Sequence, residues 1–293
     1  MFSRRLFLLN LILIFTACNL PDTPMLGKLS IGIVSYGESD RFIEPYSKLI
    51  EYLGARLKMI IELEPIYNER RALTLIKQSK LSIVFAPPGL AAIAIAEAQY
   101  IPVLPLEGLK KSRSVIVVKL ESPIQDLSGL TGKVIALGQP GSATGYYLPI
   151  YNLYGLTLAE VRFAPTPKQV LEWIASEEVV AGALSLEELE RYRLDYSQTR
   201  FRILYIDSHQ IPSGSILIGP TVERNLQQEI HKALESASSS MAASVGYIPN
   251  AKAPDYDYLI EVVQKVRPIA ERIQEKPFPL YSLPFELSNF QTR

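Results

Sequence analysis

The chain has 293 residues, 48% of them hydrophobic, with 30 basic and 30 acidic side chains. That length can bury one large core or two lobes of ordinary size, and a net charge of zero with no long basic run argues against nucleic acid as a partner. A single cysteine, Cys18, and two histidines far apart in sequence, His209 and His231, supply no internal disulfide, no metal site and no Cys/His nucleophile pair, so no cofactor or metal is expected.

Residues 1–18 read basic, then apolar, then small: Arg4-Arg5, Leu6 to Phe15 interrupted only by Asn10, then Thr16-Ala17-Cys18. The apolar run is shorter than the roughly 20 residues a helix needs to cross a bilayer and has the proportions of a signal peptide. Ala17-Cys18 resembles a lipobox, whose cysteine is acylated and becomes the mature N-terminus, although Phe15 departs from the usual aliphatic residue. The expectation is a signal peptide over 1–18, a lipid anchor on Cys18 that ties the chain to a membrane surface, and a tether over 19–27. Ser3-Arg4-Arg5-Leu6-Phe7-Leu8 also resembles a twin-arginine export motif. Either export route places the body outside the cytoplasm.

From Lys28 onward, strand-like and helix-like segments alternate. Leu29 to Val34 is a short apolar run with β-branched residues, read as a buried strand. Phe42, Ile43, Tyr46, Leu49, Ile50, Leu53 and Leu57 recur at helical spacing, with Ser39 or Asp40 as the cap and Pro45 near the first turn. Ile60 to Ile66 is strand-like, Asn68 caps a helix through Ser79, Leu81 to Ala86 is a strand, and Pro87-Pro88 opens a helix through Ala98. Ile101 to Leu106 and Ser114 to Lys119 then complete one lobe.

A second set follows, with strands at Lys133 to Leu137, Val161 to Ala164 and Val179 to Leu184. Helices are expected over Tyr146 to Tyr154, Pro167 to Ser176 and Leu186 to Arg193. Phe201 to Ile206 and Ser215 to Ile218 are strands, and the tail is helical over Thr221 to Ser240 and Asp255 to Gln274. Strands separated by helices imply mainly parallel sheets covered on both faces. The block from about Lys119 to Pro212 is a self-contained set inserted between the halves of another. The expected architecture is therefore two lobes, 28–118 plus 213–293 and 119–212, joined by two crossing strands with a ligand cleft between them.

The chemistry concentrates in Gly132 to Tyr146, which reads strand, small-residue loop, helix start. Ser142 and Thr144 can cap that helix. A helix N-terminus carries about half a positive charge, so a loop turned toward the cleft can cradle an anion without Lys or Arg. No Gly-Lys-Ser/Thr ends the loop, which excludes a Walker P-loop, and the glycine spacing does not suit a dinucleotide fingerprint.

Three stretches, Ser114-Val115-Ile116-Val117-Val118-Lys119, Leu127 to Lys133 and Gly141 to Pro149, together with Ile211-Pro212-Ser213-Gly214, closely resemble the phosphate/phosphite/phosphonate-type periplasmic substrate-binding proteins of ABC transporters. The resemblance spans about Lys28 to Glu235. It implies an α/β type II periplasmic-binding fold, a phosphorus oxyanion held by Ser142, Thr144 and Gly145, ABC permease subunits as partners, and a monomer. Ala143 departs from the family's hydroxyl at its position. Tyr67 falls where the family has a cleft-lining aromatic, and Glu187 where it has a carboxylate that meets a ligand amine.

Three family contacts are replaced, an aromatic by Ser112, a histidine by about Pro167 and an acidic residue by Gly214. These losses, with Lys110, Lys111 and Arg113 clustered before Ser114, favour a ligand without an amine, such as phosphate, phosphite or a small alkylphosphonate. A sensing or degenerate binding lipoprotein without a transport role is the alternative. An enzyme on the same fold would need a positioned nucleophile or acid–base pair, for which this sequence offers poor material.

Overall fold

The computed structural model describes residues 27–34, 43–108, 112–273 and 276–281. The expected signal peptide, Cys18, most of the tether, the caps Ser39 and Asp40, and Lys110 and Lys111 lie outside the described residues.

The N-terminal portion alternates strands and helices in chain order: β1 (Lys28–Val34), α1 (Tyr46–Leu57), β2 (Ile60–Ile66), α2 (Glu69–Lys77), β3 (Ile83–Ala86), α3 (Pro88–Ala98) and β4 (Ile101–Pro105). Asn68 starts α2, its side chain accepting from the Arg71 amide at 2.8 Å, which satisfies one of the donors a helix start leaves open. The helix α3 is apolar on nearly every face and buries Leu90, Ala91, Ala92, Ile93 and Ala94, as a helix packed on several sides must.

The remainder runs β5 (Ser114–Lys119), β6 (Val134–Leu137), a π-helical turn (Ala143–Tyr147) that continues directly as α4 (Leu148–Asn152), β7 (Thr157–Leu158), β8 (Glu160–Phe163), α5 (Pro167–Ala175), β9 (Ala181–Ser185), α6 (Leu186–Tyr192), β10 (Phe201–Ile206), β11 (Ser215–Ile218), α7 (Arg224–Glu235), α8 (Ser239–Val245), α9 (Asp257–Ala270) and β12 (Phe278–Pro279). Pro149 offers no N–H to the turn before it, and the Thr144 and Gly145 carbonyls there are taken instead by the Ser114 hydroxyl and the Gly138 amide. The expected long helix from Thr221 is two helices, because Ser238 caps a new one by accepting from the Met241 amide.

Two five-stranded sheets organise these elements, ordered β2-β1-β3-β11-β4 and β10-β5-β9-β6-β8. Both are mainly parallel in strand direction, with one strand in each, β11 in the first and β5 in the second, running against the rest. The local βα units pair in parallel, β1 with β2 and β3, and β6 with β8 and β9. Within these two sheets the antiparallel pairs all involve β5 or β11, strands that follow passage from one sheet to the other: β5 with β10 and β9, and β11 with β3 and β4. A strand arriving from outside the local βα rhythm is free to run against it.

Two assignments from sequence need correction. Ser114–Lys119, expected to close the first lobe, is an inner strand of the second sheet. Its near-continuous burial suits a central strand in either sheet, so composition could not place it. The segment 213–293 does not stay with the first sheet either. While α7 and α8 pack beneath that sheet, α9 lies against α3, α4 and the π-helical turn together. Leu259, Val262, Val263, Val266 and Ile269 of α9 join Leu90 of α3 and Tyr146, Tyr147 and Ile150 in one buried cluster. Beyond α9, β12 pairs antiparallel with β7. The chain thus passes between the sheets three times, after β4, after β10 and after α8.

The second passage is pinned chemically. Asp207, 1% exposed, accepts from Asn152 Nδ2 at 2.6 Å and from the His209 amide at 2.8 Å, and its carboxylate lies 2.9 Å from His209 Nδ1. The His209 ring stacks on Tyr258 of α9 with centroids 3.9 Å apart. This ties the passage to α4 and α9 at once.

Candidate functional site

A cavity of about 280 Å³ lies at the carboxyl ends of β6, β8 and β9, with the first turn of α3 on its other side. That is where open α/β sheets place ligands, since the loops leaving the strand ends converge there. After β6, the chain makes a turn in which the Ser142 amide donates to Gln139 O at 3.1 Å. The Ser142 hydroxyl oxygen accepts from the Gly145 amide at 3.0 Å, and Gly138 N donates to Gly145 O at 2.8 Å. From β5, the Ser114 hydroxyl holds the Thr144 carbonyl at 2.6 Å. The loop is therefore fixed from within and from the neighbouring strand.

Glycine is required at one point of this loop and closely fitted at another. Gly141 has φ +117°, and a Cβ there would meet Glu69 Cβ at 2.8 Å. At Gly145, a Cβ would lie 3.3 Å from Gly138 Cα. The loop is packed tightly against both the first-sheet elements and the end of β6.

Ser142, Thr144, Gly145, Ser112 and Glu187, five of the residues singled out from sequence, line the cavity together. The Gly145 amide there donates to Ser142 Oγ. Tyr67 is not among the lining residues and is 53% exposed. The side chain that the β2–α2 connection brings to the cavity is Glu69, 7% exposed. The sequence distance between the two is only two residues, and the helix start at Glu69 decides which one turns inward.

Sequence reasoning also passed over Gln139, Thr166, Ser185, Glu188 and Arg191 on the same wall. Two of these were detectable as caps. Thr166-Pro167 is a cap followed by proline, and Thr166 Oγ1 accepts from the Gln169 amide at 3.2 Å. Ser185-x-x-Glu188 is a full capping box, with Ser185 N donating to Glu188 Oε2 at 2.8 Å and Glu188 N donating to Ser185 Oγ at 3.1 Å.

The wall is more acidic than the losses in sequence suggested. At Gly214 no side chain fits, since a Cβ would come 2.4 Å from Ala86 O, yet Glu69, Glu187 and Glu188 face the cavity with Arg191 as the cation among the described lining residues. Burial raises the Glu187 carboxyl above the ordinary carboxylate range, neighbouring Glu188 adds to this, and Arg191 one turn along α6 counters it. Among the described residues no group of three or more His, Cys, Asp or Glu is placed to hold a metal ion, and no helix is long and apolar enough to cross a membrane.

Two mixed sheets flanked by helices, linked by crossing segments and enclosing a cavity at their strand ends, define a two-lobed solute-binding protein of the type II periplasmic-binding fold. The chain belongs to the family of phosphonate periplasmic substrate-binding proteins of ABC transporters, whose family model matches residues 31–253. That family is a substrate-binding component of transport systems. No curated protein matches the sequence.

Solved structures share the fold at low sequence identity. A Xanthomonas citri protein bound to chloride superposes with a TM-score of 0.68 at 19% identity, covering 82% of this chain and 98% of that one. PhnD1 from Prochlorococcus marinus in complex with methylphosphonate gives 0.61 at 18% identity, with the same coverages of 82% and 98%. The binding-protein component of an ABC phosphonate transporter from Pseudomonas aeruginosa gives 0.60 at 12% identity, covering 85% of this chain and 88% of that one.

Proposed function

We propose that this protein is an extracytoplasmic solute-binding lipoprotein that captures a small phosphorus oxyanion, phosphate, phosphite or a phosphonate, and delivers it to the permease subunits of an ABC importer. It acts as a monomer held at the outer face of the cytoplasmic membrane by a lipid on Cys18, and it carries out no chemistry on its ligand.

The observation that supports the reading best is the Ser142–Gly145 loop: a hydroxyl-bearing loop, locked in place by Ser114 and its own hydrogen bonds, that lines the cavity in a member of the phosphonate-binding family. Ser142 and Thr144 are the oxyanion donors in this reading, and Gly145 shapes the loop. Ser112 and Glu187 border the ligand, and Tyr67 lies outside its contacts.

Calorimetry on the lipid-free body with methylphosphonate, phosphite and phosphate tests the ligand class. At least one should bind, and a ligand at 100 times its dissociation constant should add about 2.7 kcal/mol of stability in a thermal melt. Absence of both heat and stabilisation with all three would overturn the reading and favour a degenerate binding lipoprotein. Lipid attachment is tested separately, since Cys18→Ala should abolish incorporation of labelled fatty acid and release the body from membranes.

A further inference from the structure

Five polar or charged side chains are buried among the described residues: Glu69, Ser114, Ser185, Asp207 and Ser215. The three serines differ in one respect. Ser114 donates its hydroxyl proton to Thr144 O at 2.6 Å and Ser215 donates to Leu104 O at 2.9 Å. Ser185, 6% exposed, is only an acceptor: its oxygen takes the Glu188 amide at 3.1 Å, and among the described residues no acceptor takes its proton.

A hydroxyl carries one donor and two acceptor sites, and a buried donor left unmade is costly. Ser142 and Thr166 share the pattern, each accepting an amide as a cap on the same cavity wall. Thr166, however, is exposed and Ser142 half-buried, so solvent can complete them. Ser185 is the buried member of the three. Its amide is also committed, to Glu188 Oε2, so the hydroxyl proton is what it can offer to the cavity. In the β5–β9 ladder Ser185 is the direct partner of Ser114, the residue that holds the Thr144 carbonyl. The free proton therefore lies one strand away from the anion loop, on a frame fixed by the capping box.

We infer that Ser185 is a ligand-binding residue, its hydroxyl donating to an anionic oxygen of the bound oxyanion. This rests on the proposed function. It adds a donor from a second helix start to the loop of Ser142 and Thr144, where Ala143 offers no hydroxyl, and it makes recognition depend on acceptor oxygens presented in two directions.

The test separates the donor from the cap. Ser185→Asp keeps an N-cap acceptor but has no proton to give, Ser185→Gly removes the hydroxyl at a capping cost of only a few tenths of a kcal/mol, and Ser185→Thr keeps both functions. Calorimetry with methylphosphonate and with phosphite is run on the full lipid-free body of each variant, with thermal melts alongside. Ser185→Gly should weaken binding by about tenfold to a hundredfold, the loss of one hydrogen bond to a charged group. Ser185→Asp should weaken it further while melting near the parent, and Ser185→Thr should restore it.

Unchanged affinity in Ser185→Gly, with the parent binding normally, would overturn the assignment while leaving the proposed function standing. The same holds if affinity falls only in step with thermal stability. If the parent binds neither compound, both readings fall together. Should Ser185→Asp not fold, the Gly and Thr variants decide the matter alone.

Discussion

Gly89 and Gly141 meet backbone to backbone: a methyl group on Gly89 would lie 2.0 Å from the Gly141 carbonyl oxygen and 2.6 Å from the Ala143 amide nitrogen. The first turn of α3 and the Ser142–Gly145 loop are thereby in direct contact across the two halves of the molecule. Neither atom can move cheaply, because Gly141 is itself wedged against Glu69 and Leu90.

Gly89→Ala measures this contact. Within a helix the change is locally favourable by about 1 kcal/mol, whereas overpacking costs about 1–3 kcal/mol. The expected outcome is a protein that folds, unfolds at lower denaturant concentration than the parent, and binds methylphosphonate more weakly because the loop is displaced. Gly132→Ala, at a position with φ +70° and nothing within 4 Å of an added Cβ, should be destabilised by backbone strain without the binding defect.

Ser114→Ala leaves the Thr144 carbonyl without its donor at a site where the serine is 1% exposed. A loss of about 1–3 kcal/mol of stability is expected from urea denaturation. Affinity should fall too, since Thr144 is held only through the loop once that bond is gone.

Ile269→Ala removes a side chain 1% exposed in the cluster that α9 shares with α3 and the π-helical turn. The cost should be about 2–5 kcal/mol. Trp173, the single tryptophan, sits on α5 against the core of the second sheet. Its fluorescence and the far-ultraviolet circular dichroism should lose structure at one common midpoint in the parent, because α9 couples the two halves. In the variant, separation of the two midpoints is the expected sign that the coupling has been weakened.

Glu187 gives a pH signature. Its folded carboxyl titrates above the ordinary range through burial and then Glu188, so the ionised form is disfavoured in the native state. For an acid raised in this way, stability is lost as pH climbs through the ordinary carboxylate range toward the raised value, and regained on acidification. Glu187→Gln should therefore melt slightly higher than the parent at pH 7 and equal to it near pH 3.5. Melts at the two pH values check the sign.

The strand and helix order was legible because the apolar runs are short, β-branched and separated by helical spacing, and the loop around Ser142 was legible because small hydroxyl residues follow a strand directly. What could not be read was partnership. Nothing in Ser114–Lys119 distinguishes an inner strand of one sheet from that of another, since both demand side chains buried on two faces. Tyr67 and Glu69 show the same limit at residue scale: the aromatic looked the better wall, but the cap at Asn68 sets where α2 begins and turns the carboxylate inward. Ser185 was visible as half of a capping box, yet its unused proton is a property of burial, which no spacing reveals.

The third passage of the chain bears on motion. A hinge of two strands lets rigid halves swing about a line, whereas α9 is seated on α3 from one half and on α4 and the π-helical turn from the other. Any wide gape must peel that helix from one seat and wet its valines, so apolar adhesion directly behind the cavity loop opposes the opening of the jaw.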